Sequence, residues 1–199
     1  LAARPAPLPF QPALAAGAML AALAAGLGMY FLAFGLRPDL GAAWGLVAVQ
    51  AKTVIPALLS VCAIWLALRS SRPGASVTLW PLAVPAALAA ALFVPQVGGA
   101  GVARLSDLAD STAFACLLSI IPLSVLPLLA GVAMLRDAAP TRPVLTGTLL
   151  GIAAGAGVAA GYALHCVEDA PMFFVFWYGL GIAVAGGFGG WLGHRILRW

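Results

Sequence analysis

The residues best able to do chemistry lie together in the five-residue stretch from His165 to Asp169. It holds one thiol, Cys166, one imidazole and two carboxylates, Glu168 and Asp169, and Pro171 then leads into an apolar, aromatic segment. Thiolates, imidazoles and carboxylates bind metal ions, and a thiol can also be oxidised. The stretch therefore predicts a redox-responsive or metal-responsive site at a membrane edge, with a solvated acidic loop as the alternative.

The composition is that of an integral membrane protein. Hydrophobic residues make up 63% of the 199 positions and charged residues 8%, and the mean hydropathy is +1.07. Soluble domains carry about 25% charged residues. Since a membrane helix needs about 20 residues, the length leaves no room for a soluble catalytic domain beside the spans. We therefore expect a protein that is not an enzyme.

Six apolar segments predict an all-α, polytopic bundle of six transmembrane helices in a single membrane domain over residues 1–199. We expect the spans at about 13–36, 50–68, 79–97, 111–135, 144–164 and 171–193. Lys52 lies near the end of the second span, so its side chain is expected to snorkel to the surface. Because the sequence begins with Leu1, we expect the cytoplasmic N-terminal tail to be incomplete.

The charges predict the orientation of the bundle. One side carries seven of the ten basic residues, namely Arg4, Arg69, Arg72, Arg136, Arg142, Arg195 and Arg198. The other side carries Arg37, Lys52 and Arg104 with five of the six acids, Asp39, Asp107, Asp110, Glu168 and Asp169. The positive-inside rule places both termini in the cytoplasm.

The last two spans carry glycines at four-residue intervals. Gly147, Gly151 and Gly155 lie in the fifth span, and Gly186 and Gly190 lie in the sixth. Small residues at this spacing allow two helix backbones to approach closely in lipid. We expect these two helices to pack as a tight hairpin.

This orientation places Cys116 and Cys166 on the outer side, where disulfides persist. Three states of the pair stay open: a structural disulfide, responsive thiols modulated by His165, or a soft-metal site that adds His165 and the carboxylates of Asp107, Asp110, Glu168 or Asp169. The thiols could also be unlinked and inert. Cys62 falls in mid-span, where a thiol is expected to act as an apolar packing residue.

Transport is a less favoured interpretation. Membrane-embedded ionisable residues usually mark an ion path, and no Asp, Glu, Arg or His falls in the middle of a predicted span. A small-solute channel or transporter lined by backbone and hydroxyl groups is the alternative. A signalling bundle with outward thiols and basic cytoplasmic turns fits the pattern better.

Three motifs resemble the NrsF family of bacterial membrane anti-sigma factors. They are Gly35-Leu36-Arg37-Pro38-Asp39-Leu40, Arg72-Pro73-Gly74 and above all His165-Cys166-Val167-Glu168-Asp169-Ala170-Pro171 followed by Phe176-Trp177-Tyr178-Gly179-Leu180. The resemblance implies a six-span inner-membrane protein that holds an extracytoplasmic-function sigma factor and releases it under oxidant or heavy-metal stress. It also implies that Cys116 and Cys166 are the sensing thiols.

The expected partners are thus that sigma factor and the lipid bilayer, without direct contact with nucleic acid. No resident cofactor is expected beyond transient binding of a soft metal ion at the cysteines. The cytoplasmic turns offer possible partner contacts at Arg69, Arg72, Arg136 and Arg142, although each arginine alone is also explained as an orientation signal.

Overall fold

A computed structural model describes residues 11–72, 74–100, 111–138 and 140–198, and every regular element in these ranges is helical. The helices are α1 (Pro12–Phe34), α2 (Leu40–Ala43), α3 (Val47–Ser70), α4 (Ala83–Ala100), α5 (Ser111–Leu135), α6 (Pro143–Tyr162) and α7 (Pro171–Ile196). Short 3₁₀ turns, Trp80–Leu82 and Arg136–Ala138, precede α4 and follow α5. The all-α prediction is confirmed.

Local sequence explains where several helices begin and end. Pro12, Pro143 and Pro171 each occupy the first turn of a helix, where the fixed φ of proline fits and its missing N–H costs nothing. Helix α1 ends at Gly35, whose φ of 77° lies in the left-handed region that glycine adopts freely.

Five helices among the described residues are long and apolar enough to cross a membrane: α1, α3, α5, α6 and α7. The segment predicted as the third span contains a shorter apolar helical stretch, Trp80–Gln96, which combines the 3₁₀ turn Trp80–Leu82 with most of α4. The count of six spans is therefore not confirmed. The other helices begin and end within about three residues of the ranges predicted for spans, and α5 is Ser111–Leu135; whether these helices are spans stays a prediction.

Helix α6 is the centre of the bundle. In its most apolar stretch of 18 residues, 72% of the residues are buried, whereas the corresponding share in α1 is 11%. It packs chiefly against α7 on one side and α3 on the other. The buried residues form one cluster around Leu66, Leu135 and Leu150 and a second around Cys116, Tyr162 and Cys166. We call the end of the bundle with loops 35–46 and 163–170 the cysteine end, and the end with turns 71–79, 136–142 and 197–198 the arginine end.

Candidate functional site

The structure brings Cys116 and Cys166 together. Cys116 lies in the second turn of α5 and Cys166 in the loop between α6 and α7, and both side chains belong to one buried cluster, in which the two thiols interact with each other. Both are free thiols, 0% and 6% exposed. Two adjacent reduced thiols can be oxidised to a disulfide or can bind one soft metal ion.

Tyrosines enclose the two thiols. Tyr162 and Tyr178 belong to the same buried cluster as the two thiols, with Tyr162 next to Cys116 and Tyr178 next to Cys166. The two phenol rings are in edge-to-face contact with centroids 6.0 Å apart. The Tyr178 hydroxyl is buried and has no nitrogen or oxygen partner within the described part of the chain. The thiols are thus shielded from bulk water, and an oxidant or metal ion must pass between the surrounding side chains to reach them.

Cys166 is the more acidic thiol of the pair. A hydrogen bond from the Cys116 thiol lowers the pKa of Cys166 below that of an ordinary thiol, although burial acts in the opposite direction. The sulfur also lies 3.9 Å from the Glu168 carbonyl oxygen, and the positive charge of Lys52 favours the thiolate. Because the thiolate is the reactive form, Cys166 is the nucleophile that an oxidant or metal ion would meet first.

A buried lysine holds the loop that carries Cys166. Lys52 Nζ donates to the carbonyl oxygens of Cys166, at 2.6 Å, and Glu168, at 3.2 Å, and it forms an ion pair with Asp169 Oδ1 at 2.5 Å. Lys52 is 0% exposed. The prediction that Lys52 snorkels to the surface is therefore wrong: the side chain turns into the bundle, because the loop supplies a carboxylate and two carbonyl oxygens within its reach.

Arg37 completes this charge cluster from the loop after α1. Its guanidinium group binds both oxygens of Asp169, at 2.8 and 3.1 Å, and both oxygens of Asp39, at 2.8 and 3.0 Å. It also approaches the Cys166 carbonyl oxygen, at 3.4 Å. Two bidentate carboxylate pairs fix its planar group in one orientation. The loops 35–46 and 163–170 are thereby joined at the residues that flank the thiols.

These contacts set the charge states at the cysteine end. Burial raises the pKa of Asp169, but hydrogen bonds from Arg37 and Lys52 outweigh it and hold the pKa below the ordinary value of 3.8. The hydrogen bond from Arg37 lowers the pKa of Asp39 as well, and the two carboxylates raise the pKa of Arg37. Asp39, Asp169 and Arg37 therefore stay ionised at neutral pH.

The side chains of His165 and Glu168 bond to backbone atoms of the loops. His165 Nδ1 hydrogen-bonds with the Gly35 carbonyl oxygen at 2.9 Å, and its ring contacts the Tyr30 ring edge-to-face, with centroids 5.2 Å apart. The Glu168 carboxylate accepts from the Ala170 N–H at 3.1 Å, just before α7 begins. Both residues serve the loop's conformation.

A three-ligand metal site is not found in the part of the chain that the structure describes, since no group of three or more His, Cys, Asp or Glu side chains lies close enough to hold an ion. Asp107 and Asp110, two of the candidate ligands, lie outside the described residues. The thiol pair is thus the part of the predicted donor set that the structure brings together.

Glycines line the contact between α6 and α7. A Cβ atom added at Gly147 would collide with the Gly189 carbonyl oxygen, and one at Gly151 with the Ala185 carbonyl oxygen. An added Cβ atom would lie 3.1 Å from Ile182 at Gly155, 3.0 Å from Ile152 at Gly186 and 2.5 Å from the Thr148 hydroxyl at Gly190. The two backbones are therefore close enough that only glycine fits at the first two positions.

At the arginine end the four candidate contacts are all exposed: Arg69, Arg72, Arg136 and Arg142. Arg69 lies over the Trp65 ring, 5.3 Å from its centroid, and donates to the Ser76 carbonyl oxygen at 3.1 Å. The Arg142 carbonyl oxygen accepts the first backbone hydrogen bond of α6, from the Thr146 N–H. These side chains present positive charge to the surroundings, unlike Arg37 at the other end.

Sequence reasoning missed Lys52 and Arg37 as parts of the site. Two signals could have found them. Lys52 is the single lysine of the sequence and the only charged residue in the apolar segment 47–68, and the acids Glu168 and Asp169 had no assigned counter-ions.

Comparisons with known proteins identify relatives. A family model described as NrsF, negative regulator of sigma F, matches residues 1–199. The anti-sigma-F factor NrsF of Caulobacter vibrioides is 35% identical over 171 residues, which are 82% of this chain and 78% of the relative. The probable anti-sigma-F factor NrsF of Azospira oryzae is 37% identical over 175 residues, with the same coverage. No solved structure matches the chain.

Proposed function

Because the chain belongs to the NrsF family of negative regulators of sigma F, we propose that it is a membrane anti-sigma factor whose release of its partner is triggered at Cys116 and Cys166. In its resting state it holds an extracytoplasmic-function sigma factor at the bacterial inner membrane. The family is regulatory rather than catalytic. The observation that carries the trigger is the contact between two buried, reduced thiols, one of them with a lowered pKa.

Two chemistries fit this pair. In the first, the two thiols lose two protons and two electrons to an oxidant, and a disulfide bond forms. In the second, one soft metal ion binds both sulfurs as thiolates and the two protons leave. Both need the sulfurs to be adjacent. A disulfide draws the two sulfurs to about 2.05 Å, and a metal ion requires both sulfurs to point at one centre at about 2.3 Å each, so either event pulls on the Cys166 loop.

The membrane assignment rests on hydropathy and charge. Five described helices can span a bilayer by length and composition, and the exposed arginines at the arginine end agree with a cytoplasmic location under the positive-inside rule. The cysteine end then faces the periplasm, where oxidants and metals arrive. The sigma factor binds on the opposite side, and Arg69, Arg72, Arg136 and Arg142 are candidate contacts there.

The test is co-purification of a sigma factor with the membrane protein in mild detergent, before and after treatment with diamide or cadmium. Cys116→Ser with Cys166→Ser is the test variant, and Cys62→Ser is the matched control. We expect treatment to release the sigma factor from the wild type and the control but not from the double variant. If the wild type retains no sigma factor, the proposal is wrong.

A further inference from the structure

Lys52 is bonded to the residue whose thiol is the proposed trigger. Its ammonium group donates to the carbonyl oxygen of Cys166 itself, at 2.6 Å, and to that of Glu168, at 3.2 Å. A backbone movement of Cys166 toward Cys116 therefore acts directly on Lys52. The same loop is also held by the ion pair of Lys52 with Asp169.

The bonds of Lys52 satisfy a fully buried cation. The side chain is 0% exposed, and its counter-ion is Asp169, which Arg37 also binds. A buried cation that loses its partners becomes strongly unfavourable, so it must move rather than remain unpaired. A shift of the loop is thereby converted into a shift of the helix that carries Lys52.

Helix α3 has a weak point at this position. Pro56 lies inside the helix, and proline has no N–H to donate to the carbonyl of the residue four positions earlier, which is Lys52. A cavity of about 110 Å³ lies beside Pro56, between α3, α4 and α7, and Tyr178 lines it. The helix therefore has both a missing hydrogen bond and free space where it would bend.

The far end of α3 carries candidate partner contacts. Arg69 lies 17 residues after Lys52, which is about 26 Å along a helix at 1.5 Å per residue. Arg69 and Arg72 are exposed at the arginine end, and α3 packs along the central helix α6 for its length. A bend of α3 near Lys52 would therefore displace Arg69 and Arg72.

We propose that Lys52 is a positioning residue that couples the thiol pair to the arginine end: it holds α3 in the sigma-binding position while its bonds to the Cys166 loop are intact. The coupling rests on the proposed anti-sigma function. Disulfide formation or metal capture at the thiols displaces the loop, Lys52 loses its partners, and α3 bends at Pro56. Loss of the Lys52 charge should therefore mimic the triggered state.

The experiment uses the full chain in mild detergent with its sigma factor. Lys52→Met removes the charge and keeps the length of the side chain. Gln50→Met is the matched control, since it changes a polar side chain to methionine on the same turn of α3, where Gln50 is exposed. Retention of the sigma factor is measured with and without diamide, and the Cys116–Cys166 disulfide is followed by peptide mapping in the same samples.

We expect Lys52→Met to reduce retention at least tenfold without diamide, while the disulfide still forms on treatment and Gln50→Met behaves as wild type. Adding Cys116→Ser and Cys166→Ser to Lys52→Met should leave the sigma factor released. Retention and release like the wild type would overturn the coupling. So would a Lys52→Met protein whose thiols no longer cross-link, because Lys52 would then only maintain the fold.

Asp169→Asn provides a second route if Lys52→Met does not accumulate in the membrane. It removes the counter-ion but leaves both carbonyl acceptors of Lys52, so retention should fall by less than in Lys52→Met but measurably. Unchanged retention would overturn the coupling. If the wild type responds to diamide and these variants match it, only the coupling fails. If the wild type retains no sigma factor, the anti-sigma proposal fails with it.

Discussion

Among the described residues, the two ends of the bundle differ in where their cationic side chains lie: buried at the cysteine end and exposed at the arginine end. At the cysteine end Arg37 and Lys52 are 5% and 0% exposed and point inward to a shared carboxylate, Asp169. At the arginine end Arg69, Arg72, Arg136 and Arg142 are all exposed. The cysteine end is therefore built around fixed internal pairing, and the arginine end around a surface charge available to lipid or to a partner.

The contrast matters because buried and exposed charges respond differently to change. Removing one partner of a buried pair leaves an uncompensated charge and is costly, whereas an exposed arginine contributes little to stability. A small chemical event at the cysteine end can thus have a structural effect. A charge change at the arginine end should affect binding and leave the fold intact.

Asp169→Ala should be the most damaging of the charge substitutions. It removes the carboxylate that Lys52 and Arg37 share, and we expect the free energy of unfolding in detergent to fall by about 2–3 kcal/mol, since Asp169 is a quarter exposed and a fully buried pair costs about 3–5. Asp39→Ala at the exposed end of the same cluster should change stability little. Equal losses in both variants would remove the distinction between internal and surface pairing.

The pH dependence of stability should show the same carboxylate. Because the pKa of Asp169 is lowered in the folded protein, its contribution is present above the unfolded pKa and is lost as the pH falls through the folded value. The contribution of Asp169, measured as the difference between the wild type and Asp169→Asn, should therefore be constant from pH 7 to about 5 and decline below about pH 4. The wild type should thus lose more stability than Asp169→Asn over this range, and an equal decline in both would contradict the pairing.

Gly151→Ala should weaken the glycine contact between α6 and α7. The new Cβ would meet the backbone carbonyl of Ala185, which cannot rotate away, so we expect a loss of about 1–3 kcal/mol in the free energy of unfolding. Gly187→Ala on α7 is the matched control, because a Cβ there meets nothing within 4 Å. Because alanine has the higher helix propensity, the control should be unchanged or slightly more stable, and a loss in the control as large as in the test variant would show that the contact with Ala185 is not the cause.

The lowered pKa of Cys166 predicts that its alkylation at neutral pH depends on Cys116. Cys116→Ala removes the thiol that donates to Cys166, so the pKa of Cys166 should rise and its rate of reaction with iodoacetamide at pH 7 should fall about tenfold, which corresponds to about 1.4 kcal/mol. The rate is read by mass spectrometry of the Cys166 peptide. A rate that does not change would mean that the thiol–thiol hydrogen bond does not control the acidity of Cys166.

The smallest effect on stability is expected at the arginine end. Arg136→Gln with Arg142→Gln should change the free energy of unfolding by less than about 0.5 kcal/mol, because both side chains are exposed. Sigma retention should fall if these arginines contact the partner. A large loss of stability in this variant would contradict the contrast between the two ends.

Much of the helix architecture could be predicted from hydropathy alone. Apolar runs bounded by Gly35, Arg69 and the prolines at 143 and 171 predicted α1, α3, α6 and α7 closely, because those residues start or stop helices by local chemistry. The glycine spacing in α6 likewise predicted a close helix contact, since small residues at four-residue intervals form one face.

The inward turn of Lys52 could not be predicted in the same way. Snorkelling and internal pairing compete for a lysine near a helix end, and the winner depends on whether a distant loop supplies acceptors. Here the acceptors come from Cys166, Glu168 and Asp169, more than 110 residues later in the sequence. The position of Cys116 beside Cys166 was expected only as one alternative, because sequence spacing does not give a distance between helices.

The most direct test of the account is to follow the state of Cys116 and Cys166 and the bound sigma factor in the same membranes during treatment with diamide. Peptide mapping gives the fraction of Cys116–Cys166 disulfide, and immunoprecipitation gives the fraction of sigma factor retained. The account predicts that the two fractions change together, with release following disulfide formation. Release of the sigma factor while both thiols remain reduced would contradict it.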